Sequence, residues 1–175
     1  NPHNPAGIVW SRETLEKLAE FCYEKGLVVI SDEIHCDMAL FGNKHIPFAS
    51  ISEKAAACSI TFGAPSKTFN LAGLIGSYHI IYNKTLRERV DKQGSLSHYN
   101  SMNVLSLHAL LGAYKPEGYE WTDELCKVID GNIKYASDYI KKHFEGLTFS
   151  QPQGTYMLYV DCTGWCEKHG KTVDD

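Results

Sequence analysis

The chain has 175 residues, of which 43% are apolar and 22% charged, with a formal net charge of −4. It can bury a sizeable core, and its composition is that of a globular rather than a disordered chain. It has no basic run interleaved with aromatics to suggest nucleic acid, no stretch near the roughly 20 apolar residues of a membrane span and no charged-then-apolar leader at its start.

Residues 1–7 contain two Pro, two Asn and one Gly, which predicts a tight turn. Ser11 can cap a helix whose apolar face is Leu15, Leu18, Ala19 and Cys22. Lys25 suits its negative end and Gly26 its C′ position. Residues 27–30 (Leu-Val-Val-Ile) form a continuous, β-branched run, the pattern of a parallel strand covered on both faces. Polar groups then appear abruptly at Ser31-Asp32-Glu33-Ile34-His35-Cys36-Asp37. After a loop with Gly42 and Pro47, residues 59–62 read as a second strand running into Lys67, and residues 76–82 as a third.

The second half is predicted helical over residues 84–93, 101–113 and 122–144, with a break at Pro116-Glu117-Gly118. The long helix carries a stripe of Leu125, Val128, Ile129, Ile133, Ile140 and Phe144, and Gly131-Asn132 weakens its middle. Residues 154–161 read as a strand of a separate sheet, because a long helix divides them from the others.

The six cysteines are scattered and read as reduced cytosolic thiols, so a cytoplasmic location is expected. Cys162, Cys166 and His169 have metal-like spacing but lack a second ligand pair, and no metal is expected. Tyr78, Tyr156 and Tyr159 read as core or inter-domain packing.

Asn4, Asp32 and Lys67 each fall at or just past a predicted strand end, and the ends of parallel strands share one edge of a sheet. An amine partly withdrawn from water there is a candidate Schiff-base nucleophile. A nearby acid and amide suit pyridoxal phosphate, which needs a lysine for its aldehyde and an acid facing its ring nitrogen. On residue type alone, the alternatives stay open. Asn4 suits a turn, Asp32 a helix N-cap, His35 a packed core and Ser66 a local turn cap.

Three segments in order, Asn1-Pro2-His3-Asn4-Pro5-Ala6-Gly7, Ser31-Asp32-Glu33-Ile34-His35 and Ser66-Lys67-Thr68-Phe69-Asn70-Leu71-Ala72-Gly73-Leu74, resemble the signatures of the class I/II aminotransferase superfamily. The last two are similar in wording to its cystathionine β-lyase branch of C–S lyases. The resemblance implies an α/β fold of type I. Residues 1–120 would be part of the large cofactor-binding domain, 121–145 an inter-domain helix and 146–175 the start of a small domain. It implies pyridoxal 5′-phosphate as cofactor, with Lys67 as Schiff-base lysine and catalytic base. Asp32 would face the pyridinium nitrogen, Asn4 and His35 the phenolic oxygen, and Ser66 the phosphate. Ala64 and Ile75 depart from the family's phosphate-binding Ser and Arg. The implied activity is C–S β-elimination from cystathionine or cysteine S-conjugates, with aminotransfer as the runner-up. A regulatory domain without turnover is the reading from another class. A homodimer acting on a small amino acid is implied, with no nucleic-acid or membrane partner. The chain opens without Met and stops soon after a strand-like run, so an interior piece, inactive by itself, is expected.

Overall fold

A computed structural model describes residues 1–99, 101–172 and 174. Helix α1 (Arg12–Glu24) starts where the Ser11 hydroxyl accepts the Thr14 N–H at 3.2 Å, and Gly26 leaves it at φ +64°. Its buried face is Leu15, Ala19 and Cys22, whereas Leu18 stays exposed. Strand β1 (Val29–Asp32) pairs in parallel with β2 (Ser59–Gly63), and β3 (Tyr78–Ile80) pairs antiparallel with β2. The crossover between β1 and β2 carries a short 3-10 turn (Phe48–Ser50) and α2 (Glu53–Cys58).

The first core is Leu15, Ala19, Phe48 and Ala55, with Val29, Ile46 and Ile51 packed against it. The helices lie on one face of β1, and Ile30 on the other face is 70% exposed. The expectation of a strand covered on both faces therefore fails among the described residues. Of the sheet's two pairings, β1–β2 is parallel, as expected for residues 27–30, and β2–β3 is antiparallel.

Lys67 is not on a loop. It lies on α3 (Pro65–Thr68), a single helical turn begun by Pro65, whose fixed φ suits a first helical position. A 3-10 turn (Ala72–Leu74) leads to β3. Helices α4 (Lys84–Ser97) and α5 (Val104–Ala113) are capped by the side chains of Asn83 and Asn103.

The break at Pro116 is there, since α5 ends at Ala113, but Pro116 also starts the next helix, α6 (Pro116–His143), earlier than expected and for the same reason as Pro65. This 28-residue helix runs unbroken through Gly131-Asn132. Ile129 and Ile133 pack on Met38 and Leu40 in a second core, while Val128 and Phe144 from the expected stripe are largely exposed. The separate sheet is smaller than expected, a two-residue pairing of β4 (Thr148–Phe149) with β5 (Val160–Asp161), followed by α7 (Thr163–His169). In α7, His169 stacks on Trp165 with ring centroids 4.1 Å apart, and Cys166 donates to the Thr172 carbonyl. No helix among the described residues is long and apolar enough to cross a membrane.

Candidate active site at the ends of two parallel strands

Because β1 and β2 are parallel, their carboxyl ends lie side by side. Asp32 is the last residue of β1. The Glu33 N–H extends the pairing by one bond, to the Phe62 carbonyl at 2.9 Å. The chain then turns back through Cys36 N–H to Glu33 C=O and Met38 N–H to His35 C=O. Beyond β2, Gly63 leads directly to α3 with Ser66 and Lys67. The Thr68 hydroxyl donates to Asp37 Oδ2 at 2.8 Å and ties α3 to the turn after β1.

Glu33 holds that turn from below. Its buried carboxylate accepts from Ser31 Oγ at 2.8 Å and the Phe48 N–H at 2.9 Å, and pairs with His45 Nε2 at 2.9 Å. Burial pushes its pKa up, but the bonds from His45, Phe48 and Ser31 outweigh this and hold it below the usual carboxylate range.

His35 is 3% exposed, and neither ring nitrogen has a hydrogen-bond partner. Such a group carries an unmet demand, since buried polar atoms are nearly always paired. Burial lowers its pKa, and the Lys67 charge lowers it further, while Asp32 acts in the opposite sense. Lys67, Asp32 and His35 thus share one electrostatic neighbourhood. Lys67 is half-buried and makes no hydrogen bond or ion pair among the described residues. With Ser66 it lines an open cleft of about 390 Å³ walled by Met38, Trp121, Leu125, Ile129 and Tyr156. Asp32 is exposed, and its Oδ1 accepts the Ile34 N–H at 3.1 Å. It caps a turn rather than a helix. The Ser66 side chain makes no cap.

Asn4 stands apart. No strand precedes it among the described residues. It is exposed in a turn closed by Gly7 N–H to His3 C=O at 2.7 Å, and it bonds neither Asp32 nor Lys67. The structure therefore brings together Asp32, His35, Ser66 and Lys67 but not Asn4.

Three residues at the site were not singled out from sequence: Glu33, Asp37 and Thr68. Tyr156 was assigned to packing; it does pack, edge-on to His35 with centroids 5.6 Å apart, but it also lines the Lys67 cleft. Its placement depends on long-range backbone bonds, from Thr155 N–H to Met38 C=O at 2.9 Å and Leu40 N–H to Gln153 C=O at 2.8 Å. Gly154 permits this approach, since a Cβ there would lie 2.7 Å from the Pro2 ring and 2.9 Å from the Met38 carbonyl. Neither contact has a local sequence signal. Thr68 and Asp37 lie within quoted motifs, and only the fold pairs them.

A free amine, an exposed carboxylate and an unpartnered imidazole at one sheet edge fit a group with a carbonyl carbon, a basic ring nitrogen and an acceptor oxygen. The chain belongs to the family of class I and II aminotransferases, whose profile matches residues 1–169. It is 39% identical over 165 residues to the cystathionine beta-lyase PatB of Bacillus subtilis, covering 94% of this chain and 42% of PatB. It is 36% identical to the protein MalY of Escherichia coli, covering 92% of this chain and 40% of MalY. Among solved structures, it resembles the PLP-bound C-S lyase of Staphylococcus hominis with a TM-score of 0.86 and 36% identity, covering all of this chain and 44% of that one. The chain thus spans less than half the length of the relatives it matches.

Proposed function

We propose that this chain forms part of a pyridoxal-phosphate enzyme that eliminates a thiol from a cysteine S-conjugate such as cystathionine, releasing pyruvate and ammonia. The observation that carries this is His35, buried with both nitrogens unpartnered, beside a lysine whose amine is unengaged. The names of the similar proteins favour lyase over aminotransferase chemistry.

When bound, pyridoxal phosphate supplies an aldehyde and an electron-accepting ring. Lys67 Nζ is free to add to a carbonyl and, once released by an incoming amine, to accept a proton from the substrate Cα. Asp32 has carboxylate capacity beyond the Ile34 N–H and would hold a proton on a ring nitrogen. His35 would offer an N–H to a phenolic oxygen, and the Ser66 hydroxyl would reach a phosphate. The apolar side chains Met38, Leu125 and Ile129 line the cleft that Lys67 enters. For Asn4, only the motif resemblance supports a role at the phenolic oxygen.

Support for a homodimer is the breadth of apolar surface, including Val104 and Leu105, each 70% exposed. The free thiols favour a cytoplasmic location. In the full-length protein with cofactor, Lys67→Ala should abolish the absorbance of the lysine-bound cofactor, and the wild type should release pyruvate from cystathionine without an added keto acid. Unchanged absorbance and turnover in Lys67→Ala would overturn the proposal, and a requirement for a keto acid would favour an aminotransferase. The 175 residues alone should release no pyruvate. Arg12 pairs with Glu16, Arg87 donates to the Ile81 carbonyl at 2.9 Å and Arg89 lines a groove with Tyr23 and Leu86, so no arginine faces the cleft among the described residues.

A further inference from the structure

We infer that Asp37 and Thr68 form a clamp that sets the position of Lys67. This rests on Lys67 being the reactive amine, as proposed above. Helix α3 is only four residues long, so its position must come from tertiary contacts rather than from its own helix stability. Two sets of contacts hold it. Phe69, just past α3, packs edge-on to Tyr114 at 5.3 Å and stacks on Trp121 at 6.0 Å, which anchors the end of the turn. Thr68, adjacent to Lys67, is 1% exposed and donates its hydroxyl to Asp37 at 2.8 Å. The aromatic contacts are broad and tolerate rotation; the hydrogen bond is directional and charge-assisted.

Asp37 is itself fixed from two sides. It lies on the same turn as Asp32 and His35, and its carbonyl accepts from Cys126 Sγ of α6 at 3.5 Å. The clamp therefore references the amine to the acid, the imidazole and the long helix together. Asp37 and Thr68 are positioning residues. Thr68 also lines the cleft, but its hydroxyl is spent on Asp37 and does not face it as a free polar group.

The test uses the full-length protein and pyridoxal phosphate as the probe. Borohydride reduction followed by peptide mass mapping reads how fast and how completely Lys67 is labelled. Thr68→Val keeps the shape and removes the donor, and should slow labelling roughly tenfold or more, given the steep cost of an ångström of misplacement. Thr68→Ser keeps the donor and should label within about twofold of wild type, as a short positional restoration predicts. With cystathionine, Thr68→Val should lower kcat more than it raises KM. If Thr68→Val does not fold, Asp37→Asn, which weakens the bond by removing its charge, should slow labelling several-fold. Thr68→Val, or Asp37→Asn in its place, labelling as fast as wild type would overturn the clamp, as would Thr68→Ser being as slow as Thr68→Val, which marks a packing effect. A wild type in which Lys67 takes no label overturns the functional proposal, and the clamp with it.

Discussion

Glu33 and His35 sit two residues apart, and the surroundings of each favour its deprotonated form. Both have depressed pKa values, for different reasons: hydrogen bonds overcoming burial for Glu33, and burial foremost for His35. In both cases the unfolded chain binds protons more readily. The stability each contributes is present above its ordinary pKa and is lost as pH falls through the folded value. Thermal melting should therefore weaken from the ordinary histidine value of 6.5 downward, and more steeply below the carboxylate value of 4.5. His35→Asn should remove the first part of that decline, and melting curves across pH would show it. Glu33→Ala strands His45 and the Phe48 N–H and should cost roughly 3 kcal/mol by denaturant titration. Ile75 is a β-branched residue at φ +51° and 84% exposed, so Ile75→Asn should gain about 1 kcal/mol by relieving left-handed strain without losing packing. No rise in melting temperature would contradict that. The motif residues themselves were legible from type and order. Their unmet valences were not, because burial of His35 depends on Tyr156, 121 positions away.

At the scale of elements, local rules carried most of the assignments. Ser11 and Gly26 bound α1 as their chemistry predicts, and residues 59–62 form a strand. Pro116 was read only as a break, yet it also opens α6, because proline at a first helical position is favourable and its missing N–H costs nothing there. Residues 154–159 carry a run of aromatic and apolar side chains, yet only an isolated bridge between Ala39 and Gly154 forms. Tertiary contact decides this stretch rather than strand propensity. Gly154→Ala should test it directly. The added methyl meets the Pro2 ring and the Met38 carbonyl, and should cost about 1–3 kcal/mol as an overpacked contact. The same variant should weaken cofactor retention by shifting Tyr156 off His35; retention and melting temperature equal to wild type would refute this account.

For the whole molecule, composition announced a globular chain and the family resemblance an α/β fold, and the sheet with its flanking helices agrees. It did not announce how much apolar surface stays open. Ile30, Val104 and Leu105 are each 70% exposed, beyond the scattered singles normal for a monomer. The 175-residue chain alone should therefore bind a hydrophobic dye and elute at a size that grows with concentration; a concentration-independent monomer would count against this. Helix α6 adds a mechanical consequence. At 28 residues it is about 42 Å long, from the rise per residue. Ile129 and Ile133 rest on Met38 and Leu40 near its middle, so any tilt of the helix about that contact would pivot on the loop that leaves β1. Each arm is about 20 Å, and a tilt of about 5° would move either tip by nearly 2 Å. One tip carries Trp121 at the Lys67 cleft, the other leads to the β4–β5 pair. A small rocking at that pivot would thus trade motion at the reactive amine for opposite motion at the far sheet.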